Sequence, residues 1–598
     1  MKITTTWDLS ALGSSINDPS FKKERKETEK AILAFEKKWR AKTGYLKNPK
    51  DLKEALDEYA ALSLHGEREP RYLSLRSALE TNNTEINAAM TLYRNYANQI
   101  MDHLRFFDLS LTKIPEATQK KLLTSPLLKN YHNYLDGIFK SARYTLSEAE
   151  EKILSMKSSV SSGNWVDMLD EFISAETREV YTRDEKTQKV IKKELSFSEI
   201  LSNLKDQNAK VSESTQKAVE DILRTHAKVA EKEINSFLEN KSINDQLRGY
   251  ERPDSSRHLN EGIDTKAVDT LVETVTKNFK VSQDFYTFKA KLLGKKSFTY
   301  WNRNVEYGSL SKNYSYEQGV ELVSKALSRI SDEFVSIFHS YVQNGQIDVY
   351  PKKGKTGGAF SSSSYYLPGV IMLNYTGGIR EITTLAHEMG HAIHGVKARR
   401  ENPLNYDHPM CTAEVASTFC EDFVIDELQM NANELEQLAL MVGQLDDKVA
   451  TIFRQIAAYN FEKELHETFR VKGYLANAEI GKMFNKHMKS YLGPSVALDE
   501  NSGNGWIYWG HFRSPFYVYS YSMALLVAQF ARKHFKQDPA YLEKINEFYS
   551  AGSSLTPAQI FANLGLDVHD QNRWQEGIDE VKDLLAKTKK IAKKLGKI

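Results

Sequence analysis

A mainly α-helical fold with one small β-sheet is the expectation for this chain, on three observations. Apolar residues recur every three or four positions through most of the sequence, the spacing of a helix face. Only 14 prolines occur in 598 residues, and they fall between the periodic segments. One stretch, residues 343–378, drops the helical period and becomes β-rich. A chain of 598 residues exceeds what one core usually organises, so more than one lobe is expected.

Taken in order, helices are expected over 19–41, 50–65, 84–106, 145–158, 213–240 and 265–293. The segment REVYTRDEKTQKVIKKEL (178–195) alternates and turns like a small exposed hairpin. SFSE (196–199) then offers a capping box, with Ser196 as N-cap and Glu199 reaching back. The boundary is placed there, giving an N-terminal helical lobe over 1–195 and a larger lobe over 196–598. Within 343–378, an Asn344-Gly345 turn, the Gly357-Gly358 pair and a Pro368-Gly369 turn separate three strands, at about 347–350, 359–366 and 370–375. This sheet feeds a helix carrying TTLAHEMGHAIHG (383–395). Later, Gly503, Gly505 and Gly510 mark a loop, and helix is expected to resume after Pro515, a residue suited to a first turn.

Composition narrows the function. Hydrophobic residues at 41% and charged residues at 27% fit a globular protein rather than a disordered one. Lys+Arg number 81 against 79 Asp+Glu, so no global field exists to hold a nucleic acid or an anionic membrane, and neither is expected as a partner. The basic end AKTKKIAKKLGKI (586–598) reads as a solvated helix. Cys411 and Cys420 are the only cysteines, too few for a disulfide framework. The opening MKITTTWDLSALG lacks an apolar signal core, and the longest apolar stretch (516–531) is too short to span a bilayer. A cytoplasmic protein is expected. Nothing in the sequence sets its oligomeric state.

The chemistry centres on TTLAHEMGHAIHG. His387 and His391 stand four apart, hence on one helix face, where both imidazoles can reach one Zn²⁺. Glu388 is rotated roughly 100° from His387. That suits a general base beside the water such a metal activates, the H-E-x-x-H arrangement. Gly390 lets another backbone come close, and Ile382, Leu385, Met389 and Ile393 supply an apolar side. A catalytic zinc needs a third protein ligand. Glu414 is the candidate, on a second helix with Val415, Phe419 and Phe423 on its apolar side. Glu421 lies two turns further on that face, either accepting from a ligand imidazole or simply exposed. His394 shares the face of His391. A fourth ligand would close the site, so it is read as a neighbouring, structural histidine.

These residues resemble the M3 peptidases, and specifically their oligoendopeptidase F branch. The resemblance rests on HEMGH (387–391) and Glu414 in AEVASTF, together with TWDLS (6–10), GYERP (249–253), YWNRN (300–304), GGAFSSS (357–363) and HFRSPFYVYSY (511–521), in that branch's order. It covers nearly the whole chain. Asn302 stands where relatives commonly carry Asp, at a position given no catalytic role. Thr418 stands where thermolysin-like enzymes carry an Asp, which argues against that branch. The resemblance implies a two-lobed helical shell around a deep substrate channel, one Zn²⁺ per chain, and endopeptidase action on short unfolded peptides.

Peptide hydrolysis passes through an oxyanion that needs donors besides the metal. His511 and Tyr517 suit that task, with Tyr521 four residues beyond Tyr517, and the resemblance supports them. The same aromatic stripe also fits core packing, with Tyr519 pointing away from the pair. Gly357, Gly358, Ala359 and Phe360 form the candidate substrate strand, able to pair with an extended peptide. A mobile surface loop is the competing reading. Two rival functions stand beside the endopeptidase. One is a zinc carboxypeptidase or dipeptidyl carboxypeptidase, with Arg513 available to hold a substrate carboxylate. The other is a non-catalytic peptide-binding scaffold.

Overall fold

A computed structural model describes residues 2–184, 187–308 and 313–598. Helices dominate, as the periodicity predicts. Pro19–Trp39 begins where the Asp18 carboxylate accepts from Ser20 N, with Pro at the first turn. Helices Pro49–Leu62, Thr84–Met101 and Glu148–Ser158 have each end within five residues of expectation. The segment expected over 213–240 is longer, Ala209–Arg248, and ends on Gly249 in the left-handed region. The single helix expected over 265–293 is two, Thr265–Lys277 and Phe279–Leu292. Asn278 divides them because its side-chain amide donates to Thr274 O at 2.9 Å and to Gln575 Oε1 at 2.8 Å.

Seven strands occur among the described residues: β1 (Thr177–Arg183), β2 (Val190–Ser196), β3 (Phe298–Thr299), β4 (Ile347–Asp348), β5 (Phe360–Ser362), β6 (Val370–Met372) and β7 (Val496–Ala497). β1 and β2 form the expected hairpin, antiparallel from Thr177↔Ser196 to Arg183↔Val190. The expected capping box follows, with Glu199 accepting from Ser196 N at 2.8 Å.

The chain divides into two compact units. One comprises Met1–Thr145, Ser311–Asn431 and Ala531–Leu566; the other comprises Leu146–Leu310, Ala432–Phe530 and Asp567–Ile598. The boundary expected at 195/196 thus falls inside the second unit. The hairpin is bound to the helix that follows it. Arg178 Nε meets Asp221 Oδ2 at 3.0 Å, and Tyr181 N donates to Ser214 Oγ at 3.0 Å. In the first unit, one core gathers Phe35, Leu52, Leu56, Phe107 and Leu135 from the N-terminal helices. A second joins Phe21, Tyr72 and Leu73 to Leu367 and Val370 beside the sheet.

That sheet has the order β4-β6-β5, with β4 parallel and β5 antiparallel to β6. The N-terminal segment lies along β4: Val349 N donates to Thr5 O at 3.0 Å and Asp8 N to Gly345 O at 2.7 Å. β5 is the opposite edge strand. It is shorter than expected, and the reason is chemical. Arg71 takes the carbonyls of Ser362 (2.7 Å), Ser363 (3.1 Å) and Pro368 (3.0 Å), and Arg399 takes those of Ser364 (2.8 Å) and Leu367 (2.6 Å). Guanidinium groups replace a ladder there. Cys411 and Cys420 are buried and form no disulfide. Among the described residues no helix is long and apolar enough to cross a membrane.

Candidate metal centre

The TTLAHEMGHAIHG segment lies in the helix Ile379–Ala398, and Glu414 lies in the helix Met410–Met430. The first helix buries Ile382, Leu385, Met389 and Ile393 completely, each 0% exposed, which fixes its rotation and turns His387 and His391 to the other side. Full burial of such side chains contributes roughly 1.5–3 kcal/mol each. The second helix is seated by Val415, Phe419 and Phe423, all nearly buried. Gly390 sets the spacing. A Cβ built there would come within 2.6 Å of Ala416 O and of Ser417 Cα. Only the missing side chain lets the two helices approach this closely. A Cβ at Gly395 would likewise collide with the Ser363 side chain.

Across that contact His387, His391 and Glu414 each offer one ligand atom, all within 4.8 Å of one another. His387 Nε2 is 3.5 Å and His391 Nε2 3.9 Å from the same oxygen, Glu414 Oε2. The rings stand 5.1 Å apart between centroids at 82° to each other. Glu421 Oε2 lies 3.2 Å from His387 Nδ1, so it can accept that N–H and leave Nε2 free to coordinate. Ser417 Oγ donates to Glu414 Oε2 at 3.3 Å.

The electrostatics suit a cation. Burial opposes a charge on His387, but Glu414 and Glu421 outweigh it and raise the ring's pKa to about 10. Burial takes His391 down to about 4, and the His387 charge adds to that. Burial alone would raise the Glu414 carboxyl, yet the two histidines hold it below its ordinary value. A proton on His387 therefore stands between two carboxylates, in the place a metal ion would take. Two imidazoles and one carboxylate are the donor set of a zinc site with an open position. The residues present fit that ion. Replacing Glu421 by Ala is expected to weaken Zn²⁺ binding roughly 10–100-fold, measured by chelator competition. Unchanged affinity would leave Glu421 an ordinary helix carboxylate.

Glu388 is 8% exposed. Burial raises its carboxyl to about 7, His387 and the Ser361 main-chain N–H pull it down, and Glu414 pushes it up. His394 is outside the ligand cluster. Its ring stacks on His408 at 3.8 Å and packs 5.4 Å from Phe548, and burial holds its pKa well below the ordinary value. Its ring is packed among other aromatic rings rather than turned toward the ligand cluster.

The candidate substrate strand also lies in this unit. Gly358 has φ +76°, a conformation that favours glycine, and its carbonyl accepts from Asn374 Nδ2 at 2.8 Å. A Cβ at Gly357 or Gly358 would meet nothing within 4 Å, so backbone has room to approach. Phe360 opens β5, its ring 6.2 Å from that of Trp7, and Ala359 precedes it half-buried.

His511, Tyr517 and Tyr521 belong to the second unit, where they cluster. The His511 ring stacks on Tyr517 at 4.9 Å and 16°, and lies 5.8 Å from Tyr521. Burial, with Arg454 adding, lowers the His511 ring to about 4, so it is neutral at pH 7. The helix begins at Tyr519, not after Pro515, so Tyr517 and Tyr521 do not share a helix face. The cause is Phe516, at φ +64°. A bulky residue there costs on the order of 1–3 kcal/mol, and it stops a helix from starting at Pro515. The two tyrosine rings still meet, 5.7 Å apart. Tyr519 points away into the core, 0% exposed and 5.8 Å from Tyr459.

Arg513 is already committed. Its guanidinium holds Glu233 at 3.0 and 2.7 Å and Trp506 O at 3.0 Å, with its side chain 6% exposed. Two residues the sequence did not single out, Arg257 and Glu462, reach the 514–517 turn. A signal existed for Glu462: it is a carboxylate on a face with buried Ala458, Tyr459, Leu465 and His466.

Comparison with known proteins agrees with the geometry. The model of peptidase family M3 matches residues 202–580, and the oligopeptidase F model matches 111–175. An oligoendopeptidase F homolog of Borreliella burgdorferi is 27% identical over 602 residues, covering 98% of each chain. A Chlamydophila abortus structure described as a peptidase aligns over 98% of each chain at 20% identity with a TM-score of 0.82. The oligoendopeptidase-F structure from Enterococcus faecium aligns over 96% of this chain and 99% of that one, at 18% identity and a TM-score of 0.70.

Proposed function

The chain belongs to peptidase family M3, and on that footing we propose that it is a zinc-dependent endopeptidase cutting internal bonds of short unfolded peptides. The observation that carries the reading is the convergence of His387 Nε2 and His391 Nε2 on Glu414 Oε2, with Glu388 one residue from the first ligand. These three residues would hold one Zn²⁺ per chain. Such an ion supplies Lewis acidity, polarising the scissile carbonyl and making water more acidic.

The remaining work falls to the chain. Glu421 keeps His387 oriented through Nδ1. The Glu388 carboxylate takes a proton from the attacking water and delivers it to the leaving amine nitrogen. His511 and Tyr517, with Tyr521 beside them, donate to the developing oxyanion. The open edge of β5 pairs with the extended peptide through main-chain hydrogen bonds, which bind without choosing sequence. Buried, unbridged Cys411 and Cys420 favour a reducing, cytoplasmic setting.

Endopeptidase action is preferred over the carboxypeptidase alternative because Arg513, the cation that alternative would use, is bound to Glu233. The test is product mapping by mass spectrometry on peptides blocked at either terminus, with and without a zinc chelator. Internal cuts in amidated peptides, abolished by chelator and restored by zinc, are the expected outcome. Products released only from free C-termini would establish the exopeptidase, and cleavage indifferent to chelator would remove the metal.

A further inference from the structure

We propose that Glu462 is a positioning residue for Tyr517: its buried carboxyl, with Arg257 opposite, holds the Ser514–Tyr517 turn in the backbone shape that stacks Tyr517 on His511. The inference rests on reading Tyr517 as an oxyanion donor, and it adds what keeps that donor in place.

Phe516 is the bulkier of two non-glycine residues with positive φ among the described residues. Such a conformation persists only where the surroundings over-determine it, and it is commonest at functional sites. Here the surroundings are specific. The Phe516 N–H donates to Glu462 Oε1 at 3.0 Å. Arg257 Nε donates to Pro515 O at 3.1 Å, and its Nη2 to Ser514 Oγ at 3.3 Å. The same guanidinium lies 5.7 Å from the Tyr517 ring centroid. The Phe516 ring is wedged 4.7 Å from His466 and 5.8 Å from Tyr459. The turn is held at three successive residues, and Tyr517 is the next.

Glu462 itself is an anomaly that this role explains. It is 0% exposed, Oε2 has no hydrogen-bond partner, and no ion pair reaches it among the described residues. Burying a carboxyl for one main-chain hydrogen bond is costly, and packing alone would favour an apolar residue. Burial pushes its pKa up to about 8, while the Phe516 N–H and the Arg257 charge act downward. Protonated or not, an oxygen remains to accept the N–H. Without that acceptor the Phe516 N–H loses the bond that favours φ +64°, and a return to negative φ would swing Tyr517 off the 4.9 Å stack with His511.

The experiment is a double-mutant cycle on the zinc-loaded full chain, reading kcat and KM on a quenched peptide together with zinc content. Glu462→Gln, which keeps the acceptor, should stay within about threefold of wild type. Glu462→Met, which fills the space without accepting, should lose roughly 10–100-fold in kcat, with KM and zinc nearly unchanged. Tyr517→Phe should lose a similar factor, and adding Glu462→Met to it should cost little more. Additive losses would make Glu462 a purely structural residue and overturn the proposal. Wild-type kcat in Glu462→Met beside an impaired Tyr517→Phe would overturn it while leaving Tyr517 its role. Wild-type kcat in Tyr517→Phe would overturn both together. If Glu462→Met does not fold, Arg257→Met enters the same cycle, with the same outcomes deciding.

Discussion

Glu388→Gln should keep its zinc and lose most of its activity. The amide is nearly isosteric, so His387, His391 and Glu414 remain on their two helices and the metal stoichiometry should not change. What disappears is a proton acceptor. General acid–base catalysis contributes roughly 10²–10⁴-fold, which corresponds to about 3–5 kcal/mol in the barrier. The loss should appear in kcat and in kcat/KM, with little change in KM, because substrate binding does not use this carboxylate. The pH profile gives a second readout. Burial raises the Glu388 carboxyl to about 7, against the pull of His387 and Ser361 N–H. A base must be ionised to act, so wild-type kcat/KM should rise with pH through the Glu388 pKa, which a bound cation draws below that value. The residual activity of the variant should lack this limb. Steady-state kinetics beside metal analysis would check both, and a variant cleaving at the wild-type rate would remove Glu388 from the mechanism.

Gly390→Ala should damage the same site without touching a ligand. The added Cβ would sit 2.6 Å from Ala416 O and Ser417 Cα. Both are main-chain atoms, so no side chain can swing aside, and the helices must part by the better part of an ångström. Overpacking of this kind costs about 1–3 kcal/mol in stability. The larger effect is on function, because Glu414 rides on the helix that is pushed away. Displacement of about 1 Å can cost roughly 10²-fold in rate, and Zn²⁺ affinity should fall more than tenfold. Chelator competition, thermal denaturation and kinetics would show it. A variant with native zinc affinity and rate would mean that the close contact at Gly390 does not set the ligand spacing.

The two variants mark where local and distant information meet. Repeats of three and four residues gave away the helices, since one buried stripe is a property of neighbouring residues. The same spacing placed His387 and His391 on one face and set Glu388 beside the first of them, because helix geometry converts sequence offset into direction. Glu414 was legible as a carboxylate on a second amphipathic helix, and Gly390 as a place for close approach. The capping box at Ser196 is equally local, two hydrogen bonds within four residues.

Elsewhere local offsets were misleading. Tyr517 and Tyr521 stand four apart and still do not share a helix, because Phe516 just before them stands at positive φ, its N–H bonded to Glu462, 54 residues earlier in the chain. The end of β5 was invisible for the same reason. Arg71 captures Ser362 O from 291 residues away, and no β-propensity in the strand itself records that. Arg513 looked available for a substrate until Glu233, 280 residues distant, claimed it. Sequence patterns report which groups a segment must bury or satisfy. Which far-off atom satisfies them is settled when the chain packs, since a hydrogen bond depends on distance in space and not on separation along the backbone.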